Sequence, residues 1–289
     1  MTYDYTEKSM IHSKKTLLAY LDILGYKEII DNEPPEKFYK SVIDVFKDLK
    51  KLFDGLFPGE IISDLDREKQ CNAEIVKAIK FTILSDVIII YLHYDDIKRI
   101  NQRFYEEVDD DYSGVVLFFH IVSTFVLRFI YSVGYLLRGG ICLGEFYSNT
   151  FDDYVLNGDL IFSKAFVRAY LLEQVALHPR ILVDESLHAL WKTKVEVASK
   201  QKLLAKVQVA RDRDGEFYID FYEALRTYPA DFKKAWLDDI TKRIATMLTE
   251  KRNVKNVWKK WYWFKEYHNR KITTFAKEEN QDLDSLLIK

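Results

Sequence analysis

Two acidic residues stand where their neighbours argue against them. Asp22 ends the apolar run TLLAYLDI (16–23), and Asp86 interrupts IKFTILSDVIIIYL (79–92) between Ser85 and Val87. A carboxylate withdrawn from water needs a cation, a hydrogen-bond donor or a shifted pKa to compensate it. If the two runs lie side by side as strands, both carboxylates converge at one end of a sheet. Hard oxygen ligands at such a point suit Mg²⁺ or Mn²⁺, with the backbone carbonyl of Ile23 as a third protein ligand. Gly25 lets the chain turn sharply just beyond Asp22 and bring its backbone near a ligand. The plainer reading, that either aspartate only caps a turn or a helix start, stands beside this one.

The elements that must carry these residues follow from the hydrophobic pattern. Residues 16–23 read as a buried strand, and Pro34 and Pro35 open a helix with Phe38, Val42, Val45, Phe46 and Leu49 at helical spacing. Residues 54–72 lack a period and read as a surface loop. Residues 79–92 read as two strands broken at Ser85 and Asp86, and 115–131 as an apolar helix. A glycine-bearing strand spans 136–146, Asn157 and Gly158 suit a tight turn, 163–176 has helical period and 180–183 is a short strand. Asp214 and Gly215 mark a hairpin, and 229–268 reads as two helices rich in lysine and tryptophan. Strands and helices interleave, which predicts an α+β fold: a ferredoxin-like mixed sheet with helices on its faces. The expected organisation is an N-terminal arm (1–15), a catalytic domain (16–225) and a C-terminal helical extension (226–289).

Composition excludes several classes of function. The 289 residues are 48% hydrophobic and 30% charged, which suits a globular chain with a sizeable core. The formal net charge of −2 predicts no nucleic-acid partner, since such proteins present a basic face. Residues 1–13 are polar with mixed charge and do not read as a signal peptide. The stretch 114–137 approaches a membrane span, but His120 and Arg128 interrupt the ~20 apolar residues a span needs, so a buried core or dimer-face helix is expected, and no membrane. Cys71 and Cys142 are far apart, and Cys142 reads as a small buried hydrophobe, so the cytoplasm is the expected compartment. The histidines show no ligand spacing that would support zinc.

Three segments carry a resemblance. LAYLDILGY (18–26) resembles the first metal-binding segment of class III adenylyl and guanylyl cyclases, TILSDVIII their second, and LLRGGICLGEFY their later Arg-x-Gly-Ile-x-x-Gly strand. Closer still is the bacterial Pycsar branch, whose members make cyclic UMP or cyclic CMP in defence against phage. That likeness continues through IFSKAFVRAYLLEQVALHPRILVD, DGEFYIDF and WYWFKEYHN, in order along 17–269. It implies that Asp22 and Asp86 coordinate two divalent metal ions, Mn²⁺ or Mg²⁺, and that Arg138 contacts the triphosphate of UTP or CTP, with UTP ahead. It also implies a homodimer with sites at the interface, and a product read by a separate cyclic-nucleotide-binding effector. By residue type alone, Arg138 has a second reading, a surface ion pair on an edge strand. The glycines Gly139, Gly140 and Gly144 suit close strand packing and form no phosphate loop.

The sequence departs from the purine-specific cyclases of that superfamily. Their transition-state asparagine and arginine align with Val167 and Leu171, while Lys164 and Arg168 nearby could supply charge or merely a solvated face. Their purine-reading lysine and aspartate fall near Thr82 and Leu160, with Asp159 one residue from the second. Tyr20 shares a strand face with Asp22, where it is either a core side chain or one that crowds out a purine. Two further readings remain: a purine cyclase of the same fold, and a catalytically inactive nucleotide-binding homologue.

Overall fold

The computed structural model describes residues 14–54, 64–104, 112–152, 157–198, 208–279 and 283–288. Its sheet is built around β1 (Lys14–Ile23), in which Leu17 to Leu21 are buried on both faces. A strand covered on both sides needs a continuous apolar run, and KKTLLAYLDI supplies one. After β1 come α1 (Tyr26–Asn32), α2 (Pro35–Asp54), α3 (Asp64–Ala78), the hairpin β2 (Lys80–Leu84) and β3 (Val87–His93), then α4 (Tyr94–Phe104) and α5 (Tyr112–Ser132). The chain continues through β4 (Leu137–Asp152), β5 (Asn157–Ser163), α6 (Lys164–Val175), β6 (Ile181–Val183), α7 (Glu185–Ala198), β7 (Gln208–Arg211) and β8 (Phe217–Asp220). A 3-10 turn (Phe221–Thr227) leads into α8 (Ala230–Glu250) and α9 (Lys255–Glu279).

Among the described residues, eight strands form one mixed sheet in the order β2-β3-β1-β4-β6-β8-β7, with β5 on the far end of β4. β1 pairs antiparallel with both β3 and β4, whereas β6 joins β4 in parallel. This is the expected α+β arrangement with helices at its C-terminal end.

Alternation along β1 divides the core. Leu17, Ala19, Leu21 and Ile23 face the large core, shared with α5 and with Trp236, Ile240, Phe264 and Tyr267 of α8 and α9. Leu18 and Tyr20 face a smaller cluster with Ile89, Cys142, Phe146 and the two alanines of α6, Ala165 and Ala169. The C-terminal helices therefore share the core of the sheet.

Four sequence expectations need correction. Residues 64–78 are helical, not loop, and carry Cys71, Ala73 and Ile75 into the core; the many charges on the opposite face hid the period. α5 is long and apolar enough to cross a membrane, but 83% of its apolar window is buried inside this chain. It is thus a core helix and not a dimer-face helix. Asn157 and Gly158 form no turn: they pair with Asp152 and Phe151 as strand residues. α4 and α7 lie outside the expected elements, although Tyr94, Ile97 and Ile100 give α4 a buried face at helical spacing.

Candidate active site

The sheet register assembles one charged cluster. Asp22, at the end of β1, lies opposite Val87 of β3 on one side and Arg138 of β4 on the other. Asp86 is the second residue of the tight turn Ser85–Asp86, in which Ser85 takes a left-handed backbone with φ 59°. The peptide N–H of Ile23 donates to the carbonyl of Asp86 at 2.8 Å. That bond ties the turn to the end of β1, which sets Asp86 beside Asp22. Ile23 itself is buried, which leaves only its backbone to serve the site.

Arg138 does not sit on an edge strand, because β4 runs between β1 and β6. Its Nη2 lies 3.4 Å from Asp22 Oδ2 and makes a closer ion pair with Glu173 Oε1. Glu173 is only 2% exposed. Ala165, Ala169 and Glu173 recur every four residues, on the face of α6 that meets the sheet. The other Glu173 oxygen, Oε2, accepts from the Gln174 amide. Arg138 Nε is buried without a hydrogen-bond partner, and the Oε1 contact is an ion pair rather than an aligned hydrogen bond.

Excess negative charge governs this cluster. Burial, and then the charge of Glu173, push the Asp22 carboxyl above the usual carboxylate range, with Arg138 pulling the other way. Burial, then Glu173, Asp22 and Asp86, push the Tyr20 hydroxyl up to about 12. Lys260 of α9 feels the same groups: burial and then Arg138 hold its ammonium below the ordinary lysine value, opposed by Asp22 and Glu173. A divalent cation would relieve this crowding, so the donor set fits one. Among the described residues, no group of three or more His, Cys, Asp or Glu side chains gathers to form a cage. Two carboxylates plus a backbone carbonyl match the habit of Mg²⁺, which takes its remaining ligands from phosphates and water.

The base-side candidates are placed differently. Tyr20 is 8% exposed, edge-on to Phe166 at 5.3 Å and Tyr170 at 5.6 Å between ring centroids, and is a core side chain within one chain. Thr82 and Tyr20 both stand opposite Ile89, on its two sides, so they share a face about 10 Å apart by strand spacing. Val167 and Leu171 point outward from α6 with Tyr170 and Val175, and Phe162 and Leu84 extend this exposed apolar surface. A groove of about 520 Å³ runs along it, lined by Leu84, Ile89, Phe162, Phe166 and Val167 among others. Lys164 pairs with Glu145 at 2.7 Å and Arg168 with Asp184 at 2.5 Å, so both cations are engaged within the chain. The side chains of Asp159 and Leu160 lie outside the described residues.

Sequence reasoning missed Glu173 and Lys260. For Glu173 a signal existed: a carboxylate in i, i+4, i+8 phase with two alanines on an otherwise buried face. For Lys260 none existed, since its placement depends on how α9 docks.

No protein-family model matches the chain, and no curated protein matches its sequence. Among solved structures it is similar to the adenylyl cyclase CyaB from P. aeruginosa, with TM-score 0.44 and 11% identity over 72% of this chain and 93% of that one. It is also similar to a guanylyl cyclase, with TM-score 0.40 and 10% identity over 72% and 92%. A bacterial light-regulated adenylyl cyclase gives TM-score 0.40 and 9% identity over 73% and 92%.

Proposed function

We propose that this protein is a nucleotidyl cyclase that converts a pyrimidine nucleoside triphosphate, UTP ahead of CTP, into the 3′,5′-cyclic monophosphate and pyrophosphate. The observation that carries the reading is that Asp22, Asp86 and Arg138 lie at one end of the sheet, held by register and by the hydrogen bond from the Ile23 N–H to the Asp86 carbonyl. A scaffold that only bound nucleotides would have no physical need for two carboxylates in so crowded a negative field.

In the reaction, the ribose 3′-oxygen attacks the α-phosphorus in line. The bond to the bridging oxygen breaks, pyrophosphate leaves, and the 3′-hydroxyl proton passes to water. Two divalent cations, Mn²⁺ or Mg²⁺, would lower the pKa of that hydroxyl and neutralise the triphosphate. Asp22, Asp86 and the Ile23 carbonyl are the groups that would hold them. Arg138 offers a planar fork of donors to phosphate oxygens and steadies charge as it moves onto the leaving group. Lys260, which feels the charges of Arg138, Asp22 and Glu173, would add a second positive charge for the phosphates.

The active form in this reading is a homodimer. The outward face of α6, with Val167, Tyr170, Leu171 and Val175, is apolar and uncovered in one chain, and such patches mark association surfaces. A second copy laid there would close the groove beside Tyr20 and Thr82 and put the base between chains. The pyrimidine preference and a role as signal producer in anti-phage defence rest on the likeness to Pycsar sequences. A separate effector would then read the product.

The test is to incubate the purified protein with each of the four ribonucleoside triphosphates and Mn²⁺, and identify products by mass. Cyclic UMP as the main product supports the substrate reading, and cyclic CMP as the main product would reverse the order of the two pyrimidines. Cyclic AMP or cyclic GMP as the main product would keep the chemistry and remove the pyrimidine part. No cyclic product from any triphosphate would leave only an inactive homologue.

A further inference from the structure

We propose that Glu173 is a positioning residue that holds Arg138 away from Asp22 and so keeps Asp22 free to bind a cation. This deepens the cyclase reading and rests on it. Arg138 is shared unequally: it closes on Glu173, while its contact with Asp22 stays at 3.4 Å. Both carboxylates compete for one nitrogen, Nη2, so whichever is removed yields the guanidinium to the other.

The placement of Glu173 has little slack. α6 lies directly on β4, because Gly140 has no Cβ to strike the Ala169 carbonyl and the Leu172 side chain. One turn beyond Ala169, the Glu173 carboxylate therefore arrives at a fixed height beside Arg138. Gln174 holds its second oxygen. A side chain needed only to fill this space would be better apolar, because a buried ion pair seldom outperforms hydrophobic packing of similar volume. The charge needs another use, and orienting Arg138 provides it. Neutralise Glu173, and Asp22 becomes the nearest carboxylate left to Arg138. The guanidinium would then cover the oxygen that a metal ion requires.

The experiment compares wild type with Glu173→Gln, which keeps the volume and loses the charge. Mn²⁺ is titrated into nucleotide-free protein, and free Mn²⁺ is followed by electron paramagnetic resonance. Binding is thus read apart from turnover. The expected result is a loss of Mn²⁺ affinity of about tenfold, the scale of one charged contact, with an unchanged melting temperature. In turnover, the Mn²⁺ needed for half-maximal rate should rise by a similar factor, and saturating Mn²⁺ should restore most of the rate. Arg138→Gln combined with Glu173→Gln should recover Mn²⁺ affinity, because no guanidinium remains to occupy Asp22. Should Glu173→Gln fail to fold, Glu173→Asp, one methylene shorter with its charge kept, carries the test through a smaller shift in the same direction. Equal Mn²⁺ affinity in wild type and variant, or tighter binding in the variant, would overturn the proposal, as would a wild type that binds no Mn²⁺. A wild type that binds Mn²⁺ yet makes no cyclic product from any triphosphate refutes the cyclase reading alone, and the Glu173 comparison still decides its own case.

Discussion

Asp22 and Arg138 stand directly opposite one another on β1 and β4, yet the arginine gives its closer contact to Glu173 on the helix above. Residues paired across strands usually satisfy each other. Here burial, and then the charge of Glu173, keep the Asp22 carboxyl above the usual carboxylate range, and Arg138 offsets them only in part. Several expected outcomes follow from that imbalance.

Asp22→Asn and Asp86→Asn should each reduce turnover by more than tenfold, about 1.4 kcal/mol in the barrier. The fold should survive both changes. For Asp22→Asn the melting temperature should not fall at neutral pH, because burial and Glu173 already disfavour its ionised form in the folded chain. Steady-state rates beside calorimetric melting check both halves; a variant keeping more than about a tenth of the rate would sink the metal assignment.

Leu171→Asp should convert a dimer into monomers and abolish activity without unfolding the chain. Leu171 is 55% exposed on α6, so a single chain tolerates charge there, whereas a covered apolar face would not. Sedimentation velocity at micromolar concentration distinguishes the outcomes. An active monomer would refute the shared site.

Tyr20→Ala should raise the rate with ATP relative to UTP. Opening space under α6 admits a larger base if crowding sets the preference, and discrimination of order 10² is then at stake. The same change removes two ring contacts and should cost roughly 3 kcal/mol of stability. Rates must therefore be compared as a ratio, well below the melting temperature. A ratio that does not move would make Tyr20 a core residue only.

Lys260→Met should raise the KM for the triphosphate by about tenfold with a smaller change in kcat, as expected for loss of one ground-state charge contact. Equal kinetics in wild type and variant would confine Lys260 to balancing the charges of Asp22 and Glu173.

Acid should weaken the fold through His268. Burial lowers its pKa from 6.5 to about 3, and its ring bridges the Tyr222 hydroxyl at 2.7 Å and Thr241 Oγ1 at 2.8 Å. Below 6.5 the unfolded chain takes up a proton that the folded chain refuses. Stability should therefore be complete above that pH and fall on acidification towards 3, by up to about 1.4 kcal/mol per pH unit for this group. Chemical denaturation between pH 7 and pH 5 measures the slope, and His268→Gln should flatten it. An unaltered slope would assign the acid sensitivity to other groups.

Much of the site was legible because strands advertise themselves. Asp22 and Asp86 stood out as charges in apolar runs, and period-two alternation put Tyr20 on the face of Asp22. Arg138 could be identified but not its surroundings: only the register shows that it faces Asp22 from an interior strand. Glu173 required knowing that α6 lies on Gly140, a contact made at Ala169 and Leu172, 29 and 32 residues along the chain, and invisible to local pattern. α3 was lost for another reason: its apolar residues are few and its charges many, so composition spoke for loop. The orientation of α9, which decides whether Lys260 reaches the site, is a matter of docking alone.

β1 is held on both sides by long antiparallel ladders, and that doubled register has a consequence for how the gene can change. Side-chain replacement in β1 alters one contact at a time. Deleting one residue between Leu17 and Leu21 would either slip β1 by one position against both neighbours or force a bulge into both ladders. A slip turns every later side chain over, sending Asp22 to the large-core face and Ile23 into its place in the charged cluster. Lineages of this protein should therefore accumulate substitutions along β1 while keeping its length constant. Insertions and deletions should collect instead in the connections between elements, where no ladder counts residues.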